Sequence, residues 1–175
     1  MEKTRRFNIQ TLALMAVLIA LQIILTRMFA VNLGESLRIS FGFVPNAVAG
    51  MLLGPLPAMI VAGISDLMGA LLFPSGPIYL GFTVTAMTGG LIYGLFLYQK
   101  AFTVPRVVLC KLCVMLICNV VLNTLWLDLL YGKAFFVILP TRLVKNLIQF
   151  PVDAAVLYGL GRLVRLLPHT LRPRI

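Results

Sequence analysis

Six apolar runs, each of about 20 residues and parted by short clusters of proline, glycine and basic residues, leave this chain few ways to fold. A stretch of about 20 apolar residues is what a helix needs to cross the roughly 30 Å hydrocarbon layer of a bilayer. Of the 175 residues, 61% are hydrophobic and 11% charged, against about 45–50% and about 25% in a soluble domain. The sequence therefore predicts an all-α integral membrane protein, a compact bundle of six transmembrane helices forming a single domain over residues 1–175. The spans use up nearly the whole length and leave no room for a soluble catalytic domain. The first run, Ile9 to Thr26, follows MEKTRR, lacks a small-residue cleavage pattern and is followed by Arg27, so it reads as a span and not as a signal peptide.

The spans are expected at about 9–29, 39–54, 57–73, 80–98, 106–131 and 139–166. GPLP (54–57), FPSGP (73–77) and YGKAF (131–135) mark the breaks. With the N terminus inside, Lys3, Arg5, Arg6, Lys100, Arg106, Lys111, Arg162, Arg165, Arg172 and Arg174 fall on the inner side, ten of the fifteen basic residues. The positive-inside rule then puts both termini in the cytoplasm. The net charge of +10 is met by topology and by anionic membrane lipid, and it calls for no nucleic acid.

Arg27, Arg38, Lys133, Arg142 and Lys145 are left at outer helix ends, where the rule expects few cations. Snorkelling to the interface is one account; an anion site is the other. Asn119, Asn123 and Trp126 follow i, i+4, i+7 spacing in the fifth run, and Arg142, Lys145, Asn146 and Gln149 follow i, i+3, i+4, i+7 in the sixth. Polar groups inside a membrane face each other or a cavity, and cations without matching acids favour an anionic ligand. Asp66, in AGISDLMGALL, stands as a salt-bridge partner or a ligand hydrogen-bond acceptor; Asp153 lies one turn deeper than the stripe. Cys110, Cys113 and Cys118 share one apolar run and read as packing residues. No nucleotide-binding P-loop is present, and the single histidine, His169, stands in a basic tail. Neither an energy source nor a catalytic set is visible. Ala13, Ala16 and Ala20 give the first helix a small-residue stripe that lets another helix approach closely.

The strings LRISFGFVPNAVAGMLLGPLPAMIVAGISDLMGALLFPSGPIYLGFT, LIYGLFLY, NVVLNTLWLDLLYG and LPTRLVKNLIQFPV resemble the folate-specific substrate-binding components of energy-coupling factor (ECF) vitamin transporters, in order and over almost the whole chain. The resemblance implies a multi-pass bacterial cell-membrane protein that captures folate from outside. It would then associate with a transmembrane coupling protein and two cytoplasmic ATPases, which hold ATP and magnesium; this chain carries no cofactor. It implies docking through Ala16 and Ala20, and a stiff lid formed by Phe73, Pro74, Ser75, Gly76 and Pro77. Tyr79 and Phe82 would offer flat faces to a pterin, and Asn123 an amide for its edge. Arg27, Arg142 and Lys145 would meet the glutamate carboxylates, with Asp66, Thr83, Trp126 and Asn146 completing the expected ligand set. Family members carry an aromatic-proline pair after the loop tyrosine, where this chain has IYLGFT, with Leu80 in place of the aromatic. The rival readings are a component for riboflavin or thiamine and a free-standing secondary carrier. The carrier would show paired intramembrane acids or an internal repeat, and a cationic vitamin would suit outer carboxylates better than outer arginines.

Overall fold

Three helices of this chain, those opening near Pro45, Pro55 and Pro105, start where a proline removes a backbone donor that the first turn does not need. The computed structural model describes residues 9–28, 31–33, 37–39, 41–74, 79–100, 102–132 and 135–166; for 31–33, 37–39, 131, 135–139, 141, 142, 145, 165 and 166 the backbone alone is described. Helix α1 spans Ile9–Arg27. A short antiparallel hairpin follows, with β1 (Val31–Leu33) paired to β2 (Leu37–Ile39) in the register Val31 to Ile39, Asn32 to Arg38 and Leu33 to Leu37. Helix α2 is Phe43–Leu53, with Pro45 in its first turn, and α3 is Pro55–Leu72, opening directly on Pro55. Between them Gly54 sits at φ 93°, a left-handed conformation that glycine adopts without steric cost, so two helices reverse direction across one residue.

Helix α4 covers Leu80–Leu97. A continuous rod follows: α5 (Val104–Cys113, with Pro105 in its first turn), a π-helical segment (Val114–Leu122) and α6 (Asn123–Tyr131). Gly132, at φ 60°, ends the rod by donating its N–H to the Asp128 carbonyl at 2.8 Å. Helix α7 runs through Pro140 and Pro151 from Phe135 to Leu166.

Three expectations change. The second span does not start at 39, because Leu37–Ile39 pairs with β1; α2 has 11 residues, about 16 Å, too short to cross the bilayer core alone. Five helices among the described residues are long and apolar enough to span. The rod is not uniformly α-helical, since nine of its residues form wider π turns, which rephase the side chains beyond them. The last helix begins at Phe135, about one turn earlier than expected.

Helices α2 and α4 lie at the centre. Helix α2 touches α1, α3, α4 and α7, and α4 touches α2, α3, α5, the π segment and α6. One apolar cluster joins α1, α2 and α3 through Met15, Leu18, Ala49, Leu53, Ala58 and Val61. The other, with Ala47, Ile92, Tyr93, Val107, Cys110, Val114, Cys118 and Leu157, joins α2, α4, the rod and α7. The cysteines are free thiols, and Cys110 and Cys118 pack in this second cluster.

Glycines set how close α4 comes to its neighbours. A Cβ on Gly94 would stand 2.3 Å from Pro55 Cα, one on Gly90 2.6 Å from the Ala58 carbonyl oxygen, and one on Gly50 2.8 Å from the Gly94 nitrogen. All three obstacles are backbone atoms, which cannot step aside as a flexible side chain can. Ala58 and Ala62 are fully buried at the same packing layer, so this small-residue spacing serves internal packing. In contrast, Ala13, Ala16 and Ala20 on α1 are uncovered by the rest of the chain. Gly94→Val is expected to abolish a monodisperse, thermally cooperative protein, whereas Gly159→Ala, at a position with nothing within 4 Å, leaves elution and melting unchanged. Equal melting of both variants would contradict the seam.

Candidate functional site

Pro55 and Gly94 touch at one end of the α3–α4 pair, and the two helices run antiparallel from there. Asp66 lies eleven residues beyond Pro55 and Thr83 eleven residues before Gly94, so each helix carries its residue about 16 Å from the shared contact. The two meet: the Thr83 hydroxyl donates to Asp66 Oδ2 at 2.9 Å. Asp66 therefore serves as an acceptor between α3 and α4.

Thr85 is two residues on, about 200° around the helix, and so faces a different neighbour. Its hydroxyl accepts a hydrogen bond from Trp126 Nε1 of α6 at 3.0 Å and donates to the Gly81 carbonyl at 3.2 Å. One turn of α4 thereby ties α3 on one side and the rod on the other. The Trp126 ring lies 5.8 Å from that of Tyr79, inclined at 55°, and Tyr79 meets Phe82 edge to face at 6.1 Å. Such offset and edge-on arrangements suit the charge distribution of aromatic rings. Gly81 makes the group possible, because a Cβ there would fall 2.5 Å from Trp126 Cδ2 and 2.5 Å from Tyr79 Cε1.

Arg27 closes the group from α1. It is the last residue of that helix, where a cation meets the negative end of the peptide dipoles, and its Nε lies 3.2 Å from the point where Gly69 would carry a Cβ. Gly69 is one turn beyond Asp66, so Arg27, Asp66, Thr83, Thr85, Trp126, Tyr79 and Phe82 gather at one end of the bundle, the end that also carries the hairpin. Asn123 and Asn146 are half-buried on α6 and α7. Phe73 and Pro74 are uncovered at the end of α3, and Leu80 is 68% exposed at the start of α4. Gly76, with 75–78 as a whole, lies outside the described residues, as do the side chains of Arg142 and Lys145.

Two site residues had no individual signal in the sequence. Thr85 was one of several helix threonines, and only its facing partner, 41 residues away, marks it. Gly81 stands between Tyr79 and Phe82, a spacing that is informative once Tyr79 is known to lie against both Phe82 and Trp126.

Lys111 corrects the charge map. Counted among the inner, lipid-facing cations, it is 3% exposed: its Nζ stands 2.8 Å from Asp153 Oδ2 on α7, 3.5 Å from the Tyr93 hydroxyl on α4 and 3.9 Å from the centre of the Phe43 ring on α2. An ammonium group inside a membrane protein is retained when acid, hydroxyl and aromatic face together replace its water. Asp153 Oδ1 in turn accepts a long hydrogen bond, 3.4 Å, from Gln149 Nε2. Among the described side chains, the ion-pair partner of Asp153 is thus the buried Lys111. Among the described residues no cluster of three or more histidine, cysteine or acidic side chains is disposed to hold a metal ion.

Residues 10–161 match the family of ECF transporter substrate-specific components. A folate transporter FolT of Clostridium novyi (strain NT) is 42% identical over 157 residues, covering 90% of this chain and 91% of its own. A FolT of Leuconostoc mesenteroides is 36% identical over 164 residues, covering 90% and 84%. Among solved structures, a crystal structure of FolT bound with folic acid superposes with a TM-score of 0.83 at 40% identity, covering 89% of this chain and 94% of that one. The substrate-binding component for biotin from an ECF-type ABC transporter aligns with a TM-score of 0.70 over 99% of this chain and 100% of its own, at 20% identity, a likeness of fold.

Thr83→Val removes the donor to Asp66 and is expected to cost about 1–3 kcal/mol, read as a melting midpoint several degrees below that of Thr88→Val, whose hydroxyl bonds only its own helix. Equal midpoints would show that the Asp66–Thr83 contact does not hold α3 to α4.

Proposed function

Because the chain belongs to the ECF transporter substrate-specific components, a family of transporter substrate-binding subunits and not of enzymes, we propose that it captures folate at the hairpin end of the bundle, facing the outside of a bacterial cell membrane. The observation that carries folate over other vitamins is the likeness, across nearly the whole chain, to a protein crystallised with folic acid. The chemistry of the gathered residues agrees. Tyr79, Phe82 and Trp126 offer faces for a flat heterocycle. Asp66 keeps one carboxylate oxygen beyond its bond to Thr83 for a donor edge, and the amides of Asn123 and Asn146 supply donors and acceptors. Arg27, Arg142 and Lys145 are the cations for the carboxylates of the glutamate tail, and Phe73, Pro74 and Gly76 belong to the covering loop.

Delivery follows docking. Ala16 and Ala20 lie on the uncovered face of α1, opposite the buried Met15, Leu18 and Gln22, and this face is the seat for a transmembrane coupling protein whose two ATPases hold ATP and magnesium. The cytoplasmic placement of both termini belongs to the same proposal.

Calorimetry on the purified protein is expected to give one folate per chain without ATP; heat from riboflavin or thiamine and none from folates would overturn the cargo. Arg142→Ala should weaken folate binding about ten- to a hundredfold, Lys145→Ala somewhat less, and Lys100→Ala not at all. Native affinity in both α7 variants would move the anion site to Arg27 or Arg38. The double variant Ala16→Leu/Ala20→Leu should bind folate normally yet lose ATP-driven uptake, and its recovery of the ATPase module at native yield would refute the docking face.

A further inference from the structure

Helix α7 carries its polar stripe and its core anchor on opposite sides of a weak turn. Asn146 and Gln149 precede Pro151, while Asp153 and the fully buried Leu157 follow it. Proline has no N–H to give the carbonyl of Leu147, and its ring crowds that same carbonyl, so the helix loses a backbone tie between the two halves. The side chains restore one. Gln149 and Asp153 are i, i+4 neighbours that straddle Pro151, and Gln149 Nε2 donates to Asp153 Oδ1 at 3.4 Å. Asp153 is itself fixed from outside the helix by Lys111 at 2.8 Å, which α4 and α2 hold through Tyr93 and Phe43. A buried ion pair is a poor source of net stability, since desolvation offsets most of the attraction and a well-packed apolar pair of similar size does as well. Its direct link to the residue across the proline is what an apolar pair would lack.

We propose that Lys111, Asp153 and Gln149 form a splint across Pro151 that sets the direction of the hairpin-end half of α7, making Lys111 and Asp153 positioning residues for the ligand stripe of that helix. The part concerning ligand rests on the folate reading above; the splint itself does not. The fixed end of the device is the second apolar cluster, where α2, α4, the rod and α7 meet, and the free end is the segment that bears Arg142, Lys145, Asn146 and Gln149.

The test compares four full-length proteins: native, Pro151→Ala, Lys111→Met/Asp153→Leu, and the triple variant. The double replacement removes both charges together, so neither is left buried and unpaired. Amide hydrogen exchange without ligand is expected to quicken about tenfold or more over residues 144–150 in the double variant, with α3 and α4 unchanged, and to return to near the native rate in the triple variant, where an N–H at 151 again bonds Leu147. Folate affinity should follow the same order: native and Pro151→Ala alike, the double variant weaker by about tenfold or more, the triple variant within about threefold of native. Exchange in the double variant that stays native, or that quickens throughout the bundle and is not corrected by Pro151→Ala, would overturn the splint. Quickened exchange with native folate affinity would overturn the positioning role. A native protein that binds no folate in the same assay would refute the cargo reading and leave the exchange result to decide the splint. If the double variant does not fold, Gln149→Leu, which leaves the ion pair intact, should quicken exchange over 144–150 to a smaller degree, and unaltered exchange there would equally overturn the splint.

Discussion

Backbone meets backbone where α4 crosses α2 and the start of α3, and the placement of everything at the hairpin end depends on that contact. Between helices in lipid the hydrophobic effect gives little attraction, because hydrocarbon tails are as apolar as leucine; association comes from close packing of small residues and from interhelical hydrogen bonds. Gly50, Gly90 and Gly94 supply the close packing at one end, and Thr83 with Asp66, then Trp126 with Thr85, supply the hydrogen bonds toward the other. Helix α4 is thus pinned at both ends, by shape below and by polar contacts above. Thr83 and Thr85 stand about 200° apart on α4 and so face two different helices, and the glycine seam fixes the rotation of α4 that aims them there.

The basic residues divide by surroundings and not by topology alone. Lys111 is enclosed by an acid, a hydroxyl and a ring, which together stand in for hydration and leave it no role at the membrane surface. Arg27, at the end of α1, packs its side chain over Gly69, one turn beyond Asp66. Arg162 reaches over the face of Tyr158 at 5.9 Å, whose ring stacks on Phe102 at 5.8 Å, an interfacial arrangement in which cation and aromatic rings share the end of the bundle opposite the hairpin. Among the described basic side chains, Lys111 is thus a buried tie, while Arg27 and Arg162 stand at opposite ends of the bundle.

The helices were legible in the sequence because their ends are written in prolines and glycines: Pro55 after Gly54, Pro105 at the start of the rod, and Gly132 at its end. The expected aromatic set Tyr79, Phe82 and Trp126 is brought together, and Thr83 and Asp66 meet. The β1–β2 hairpin was not legible, since two three-residue strands carry too little alternation to stand out beside an apolar run that continues into α2. Nor was the π segment, because VMLICNVVL is as good an α-helix as its neighbours by composition; where the turns widen, the segment lies against α4 and α7. Lys111 was misread for a related reason: Asp153 lies 42 residues away, and no local pattern announces a partner on another helix. Distance in sequence, and not weakness of the contacts, separates what was read from what was missed.

The chain has a single tryptophan, and it stands inside the proposed site between Thr85 and Tyr79, so Trp126 emission during a folate titration reports directly on where the ligand sits. A heterocycle bound against that ring is expected to quench the emission in a saturable one-to-one manner, at the affinity found by calorimetry and after correction for absorption by free folate. Trp126 emission that stays constant while calorimetry registers folate binding would place the ligand elsewhere and contradict the site.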